Sequence, residues 1–145
     1  MIPSFDTDGN LPPGIHFSEW NDFVVKYGTN HHRLQLIAGL YLLCIELRNS
    51  GCNFIYIDGS FVTSKDFPND YDGCWDASGV NLLTLDPILF DFSNARLKQK
   101  IKYRGEMFPS GLIEGNSRKP FLTFFQEDVD GNQKGIVSLD LRRIP

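Results

Sequence analysis

Hydrophobic positions recur at helical spacing through one long stretch of the chain. From Asn30 to about Asn49, Leu34, Ile37, Leu40, Tyr41, Cys44, Ile45 and Leu47 follow a 3.6-residue period, with Gly51 placed to stop the helix. A shorter helix carries Trp20, Phe23 and Val24 on one side, with Ser18 as its expected cap and an end near Gly28. Elsewhere the runs are shorter. Phe54-Ile55-Tyr56-Ile57 is the continuous apolar, aromatic and β-branched type found in buried strands, and it ends at Asp58-Gly59-Ser60. Asp70 to Trp75 and Gly105 to Pro109 read as further strands, and Ile136 to Leu141 alternates as a strand should. Pro87 to Tyr103 is predicted helical with a break around Asp91 to Asn94, and Phe121 to Phe125 forms a short helix or strand. Pro, Gly and Asp through Gly14 make residues 1–14 an expected N-terminal surface arm on a single domain spanning 1–145. The pattern is α+β.

Composition narrows the class. At 145 residues, 41% hydrophobic and 22% charged, the chain can close one core without disulfides or a structural metal. Its formal charge of −4 argues against general duplex binding, which needs many phosphate-neutralising cations; a short RNA end stays open, and Arg96, Lys98, Lys100, Lys102 and Arg104 read as the solvated face of a helix. Cys44, Cys52 and Cys74 form no CxxC pair, and the N-terminal residues have neither a basic start nor an apolar stretch, so a reducing cytoplasm is expected. The most apolar run, Leu34 to Leu47, falls short of the ~20 residues needed to span a bilayer, and no membrane partner is expected.

The candidate chemistry lies between the first two predicted strands. Asp70 and Asp72 are one residue apart, so on a strand both carboxylates face the same way and Tyr71 faces the other. Their repulsion calls for a cation, and hard oxygens on one face suit Mg²⁺ held together with substrate phosphates. Gly59 lets backbone approach a phosphate, and the Ser60 hydroxyl can donate to it. Asp6-Thr7-Asp8-Gly9 and Asp128-Val129-Asp130-Gly131 share the Asp-x-Asp form but follow no strand ending in Gly-Ser, and are read as turns. None of the three continues as a calcium loop, because Phe17, Asn81 and Leu139 stand where that loop needs Glu.

A hydrophobic strand, Gly59-Ser60, and then Asp70-Tyr71-Asp72 resembles the signature of the polymerase-beta-type minimal nucleotidyltransferase superfamily. Further segments, Leu11 to Gly14, Gly59 to Lys65 and Lys134 to Val137, resemble an uncharacterised bacterial family of small nucleotidyltransferase-like proteins. The resemblance implies a nucleotidyltransferase-like fold, a small mixed β-sheet flanked by helices. Gly59 and Ser60 would hold a nucleoside triphosphate, and Asp70 and Asp72 two Mg²⁺ ions. A third carboxylate from a later strand completes such sites, and Glu106 is the candidate by order along the chain. Gly73 departs from the pattern, standing where an apolar residue is expected. Lys65 has two readings, a triphosphate contact or a solvated loop lysine.

The implied activity is transfer of NMP from NTP to a hydroxyl of a protein or RNA acceptor, as in toxin–antitoxin and defence modules. In so small a domain the acceptor would be read with a protein partner or by a homo-oligomer. The alternative is a catalytically weak module that binds a nucleotide or partner, and metal-dependent phosphodiester hydrolysis ranks below both. His31 and His32 are adjacent on a helix and cannot chelate one ion together. Trp20, Trp75 and the twelve Phe read most simply as core and interface aromatics, with an exposed partner patch at Phe121, Phe124 and Phe125 as the alternative.

Overall fold

The computed structural model describes residues 2–145 and has an α+β architecture. Five strands, β1 (Gly14–Ser18), β2 (Phe54–Asp58), β3 (Tyr71–Trp75), β4 (Gly105–Pro109) and β5 (Gly135–Asp140), form one sheet in the order β1-β5-β2-β3-β4. The sheet is mixed: β1 runs parallel to β5 and β3 parallel to β4, while β2 is antiparallel to both its neighbours. Parallel neighbours cannot be joined by a hairpin. The β3 to β4 crossover is made by a 3₁₀ turn, Pro87–Phe90, and helix α3 (Ser93–Tyr103), which confirms the expected break between them.

One face of the sheet carries Ile55, Ile57, Tyr71, Trp75, Met107, Val137 and Leu139, all buried. Helices α1 (Trp20–Tyr27) and α2 (His31–Asn49) contribute Trp20, Phe23, Leu36, Leu40, Leu43 and Leu47 to the same core. Asn30 caps α2 by accepting from the Arg33 N–H. The opposite face has a smaller aromatic core, in which Cys74, Ile136, Phe121 and Phe125 meet beneath helix α4 (Phe121–Phe124). The β4 edge is guarded from inside: the buried Gln99 side chain accepts the Met107 N–H at 2.9 Å.

Residues 2–14 run along the surface but are anchored to the core: Leu11 is 2% exposed, Phe5 tilts against Tyr27, and Gly14 opens β1. Met1 lies outside the described residues. Glu19, not Ser18, precedes α1, and Ser18 belongs to β1, a strand that its neighbouring Pro-rich sequence conceals. The basic residues of α3 do lie on its solvent side as expected, and they are also paired, Lys98 with Asp91, Lys102 with Asp86, and Arg96 and Lys100 with Glu106. Phe121 and Phe125 are buried, so the Phe patch is largely an internal cluster. Among the described residues no helix is long and apolar enough to cross a membrane.

Candidate functional site

The period of two that sends Ile57, Tyr71 and Met107 into the main core turns their neighbours to the other face. Asp58 pairs with Asp72 across β2 and β3, and Asp72 pairs with Glu106 across β3 and β4. Three carboxylates thereby form a row over three strands, and Asp70 adds a fourth just before β3. Gly73 falls in the opposite, core-facing set, where a Cβ would stand 2.1 Å from the Tyr56 carbonyl and 2.9 Å from Met107 Sδ. Glycine is required there by close packing, and β3 keeps its register with both neighbours through this position.

At the end of β2 the chain turns over this row. Gly59 has φ +79°, and a Cβ on it would lie 2.5 Å from Asp72 Oδ2, so only glycine lets the turn rest against that carboxylate. Residues Gly59–Val62 make one 3₁₀ turn, fastened inward by Phe61 and Val62 and closed by the Thr63 hydroxyl donating to the Ser60 carbonyl at 2.6 Å. Arg33 holds the outgoing segment. Its buried guanidinium donates to the carbonyls of Phe61 (2.7 Å), Thr63 (3.0 Å), Lys65 and Tyr27, and lies 4.8 Å from the Phe61 ring centroid. Sequence reasoning passed over Arg33; the one available signal was an arginine on the apolar side of α2.

Charge along the row is compensated at its ends and not in its middle. Lys134 Nζ stands 3.3 Å from Asp58 Oδ1, an ion-pair contact rather than a well-formed hydrogen bond. Burial pushes Asp58 upward, partly offset by Lys134 and the Gly59 N–H. Arg96 Nε is 2.8 Å and Lys100 Nζ 3.6 Å from Glu106 Oε2. Burial raises Glu106 too, but Arg96, the hydrogen bond with Asp72, and Lys100 outweigh it and hold its carboxyl below the ordinary range. Asp72 has no such cation. Burial first, then Asp70, Glu106 and Asp58, push it from the ordinary 3.8 up to about 8. Asp70 is raised by burial and by Glu106, against the pull of Lys100 and Arg96.

Among the described residues no three His, Cys, Asp or Glu side chains are gathered tightly enough to hold a metal ion. Asp70 and Asp72 are nonetheless hard oxygen donors of the type a divalent cation takes, and burial and neighbouring carboxylates act on both with no cation beside Asp72. Glu106 could join only by loosening Arg96 and Lys100.

Beside the row, Gly59, Ser60, Thr63, Asp58 and Lys134 line a cleft of about 280 Å³. Lys134, just ahead of β5, is therefore the lysine next to Gly59 and Ser60, while Lys65 is exposed and outside this cleft. The two other Asp-x-Asp segments are turns as expected: Asp6 accepts from the N–H groups of Asp8 and Asn10, and Asp128 from those of Asp130 and Asn132.

The chain matches a family of unknown function, DUF6932, over residues 3–140. It belongs to that family. No curated protein and no solved structure matches it. The matched region runs from the N-terminal segment to the last residue of β5 and includes Gly59, Ser60, Asp70, Asp72, Glu106 and Lys134.

Proposed function

We propose that this DUF6932 chain is a metal-dependent nucleotidyltransferase with a nucleotidyltransferase-like fold, moving NMP from an NTP to a hydroxyl of an acceptor. The observation that carries this reading is the carboxylate row. Glu106, chosen from sequence by order alone, lies directly beside Asp72 on a parallel strand, and the Gly59-Ser60 turn rests against the same Asp72. Three separated stretches of sequence thus meet at one carboxylate.

In this reading Gly59 and Ser60 bind the triphosphate from the backbone side, and Lys134 neutralises it across the cleft. Asp58 positions Lys134, and Arg33 keeps the loop after Ser60 from moving away. Asp70 and Asp72, with Glu106 once freed from its cations, are the residues to hold divalent metal. Bound metal would supply charge stabilisation for the phosphoryl oxygens and lower the pKa of the attacking hydroxyl. Arg96 and Lys100 lie within reach of charge developing at the Glu106 end of the row.

The test is transfer of label from α-³²P-labelled NTPs, with release of pyrophosphate, in Mg²⁺ and in EDTA. Release that requires Mg²⁺ and is lost in Asp72→Asn supports the enzyme. The engagement of Glu106 by Arg96 and Lys100 favours a second reading, a catalytically weak module that binds nucleotide or a protein partner. That module would bind NTP and release no pyrophosphate.

A further inference from the structure

On the β4 side the carboxylate row ends at a pocket whose aromatic wall has no part in the triphosphate reading. It has a volume of about 270 Å³ and is walled by Phe108, Phe121, Phe124 and Phe125, with Arg96 and Glu106 at its rim. Phe108 lies flat on Phe121, centroids 4.1 Å apart and planes 4° from parallel, and Arg96 sits 5.5 Å from the Phe108 centroid. Phe108 and Phe124 are only half-buried. Arg96 is set there by an unusual turn: Asn94, Ala95 and Arg96 all have left-handed backbone, φ 51°, 54° and 60°. L-residues adopt that conformation at a cost, and such strain persists where the surroundings enforce it. Its result is a guanidinium poised between Glu106 and an aromatic face.

The direction of the reaction gives this pocket a role, an argument that rests on the proposed transferase. Attack and departure at the α-phosphate are in line. With pyrophosphate leaving toward Gly59-Ser60 at the β2 end, the acceptor hydroxyl enters from the β4 end, over Glu106. Whatever carries that hydroxyl must lie next to the Phe108 pocket. We infer that the pocket holds the nucleobase of the acceptor, stacked on the half-buried Phe124 ring, with Arg96 donating to ring nitrogen or carbonyl and Glu114 accepting exocyclic amino hydrogens. A base offers both kinds of polar edge around a flat apolar face. A tyrosine side chain has one polar atom, and that atom would itself have to attack. The volume lies just below the usual range for ligand pockets, which suits a single base and not a longer segment.

The test uses nucleosides without phosphate, so that neither metal nor the triphosphate cleft takes part. Adenosine, guanosine, cytidine and uridine are titrated into the full chain in EDTA, followed by NMR of the ¹³C-labelled phenylalanine rings. We expect at least one nucleoside to shift Phe108, Phe121 and Phe124 together. Phe124→Leu, at a half-buried position, should weaken binding about tenfold, and Phe124→Tyr should restore it. The titration in EDTA involves neither metal nor phosphate, so loss of the metal reading would leave this result intact. An oligoribonucleotide ending in the preferred base that binds more tightly than the nucleoside identifies an RNA end as the source; equal binding identifies a free nucleoside or nucleotide. The inference fails if no nucleoside moves the rings, if Phe124→Leu binds unchanged, or if N-acetyl-tyrosine amide binds there in preference to every nucleoside.

Discussion

Replacing Asp72 by Asn should stabilise this protein while abolishing the proposed metal site. In the fold Asp72 holds its proton up to about pH 8, whereas its ordinary value is 3.8. Between those values the folded state binds more protons than the unfolded one, so stability contributed by this group is lost as pH rises from about 4 through 8. Each pH unit in that window is worth about 1.4 kcal/mol, which sets a ceiling of roughly 4 kcal/mol at pH 7. The hydrogen bond between Asp72 and Glu106 reduces it, and we expect Asp72→Asn to gain about 2 kcal/mol, or roughly 4–8 °C in Tm. Asn has the shape of the protonated acid and can still donate to Glu106. The assay is urea unfolding of both proteins in EDTA at pH 4.5, 6, 7 and 8. The gap should be small at pH 4.5, widen with pH and level off near 8. Added Mg²⁺ should then narrow it by stabilising the wild type alone. A variant less stable than wild type at pH 7, or a gap that does not change with pH, would refute the placement of an uncompensated carboxylate at the centre of the row.

Other consequences follow from the same geometry. Gly59→Ala combines a φ of +79° with a Cβ 2.5 Å from Asp72 Oδ2, and should cost about 1–3 kcal/mol in urea unfolding together with loss of NTP binding. Arg33→Met strips four carbonyls of their donor and should cost about 3–5 kcal/mol; a loss under 1 kcal/mol would mean that Arg33 does not fasten the loop. Lys134→Gln should weaken NTP binding about tenfold while Lys65→Gln leaves it unchanged, measured side by side by calorimetry.

What the sequence disclosed, it disclosed through periodicity and punctuation. α2, β2 and β4 were legible because each is bounded by Gly, Pro or a cap: Asn30 and Gly51, Gly59, Gly105 and Pro109. β1 was not, because an edge strand of Gly-Ile-His-Phe-Ser acquires its identity only from pairing with β5, over a hundred residues away. Glu106 could be named from order along the chain, but its neighbourhood with Asp72 depends on the parallel register that the α3 crossover creates. Arg33 and Lys134 carry no motif. Arg33 matters because four carbonyls converge on it, and Lys134 because β5 delivers it beside β2, and neither convergence is written in local sequence.

The central claim, a site for metal and triphosphate at Gly59, Ser60, Asp70 and Asp72, is tested most directly by calorimetry of ATP, CTP, GTP and UTP binding with and without Mg²⁺, in wild type and in Asp70→Ala/Asp72→Ala. The account predicts Mg²⁺-dependent binding of at least one nucleotide that disappears in the double variant. Absence of binding to all four, or binding that is indifferent to both Mg²⁺ and the two aspartates, would contradict it.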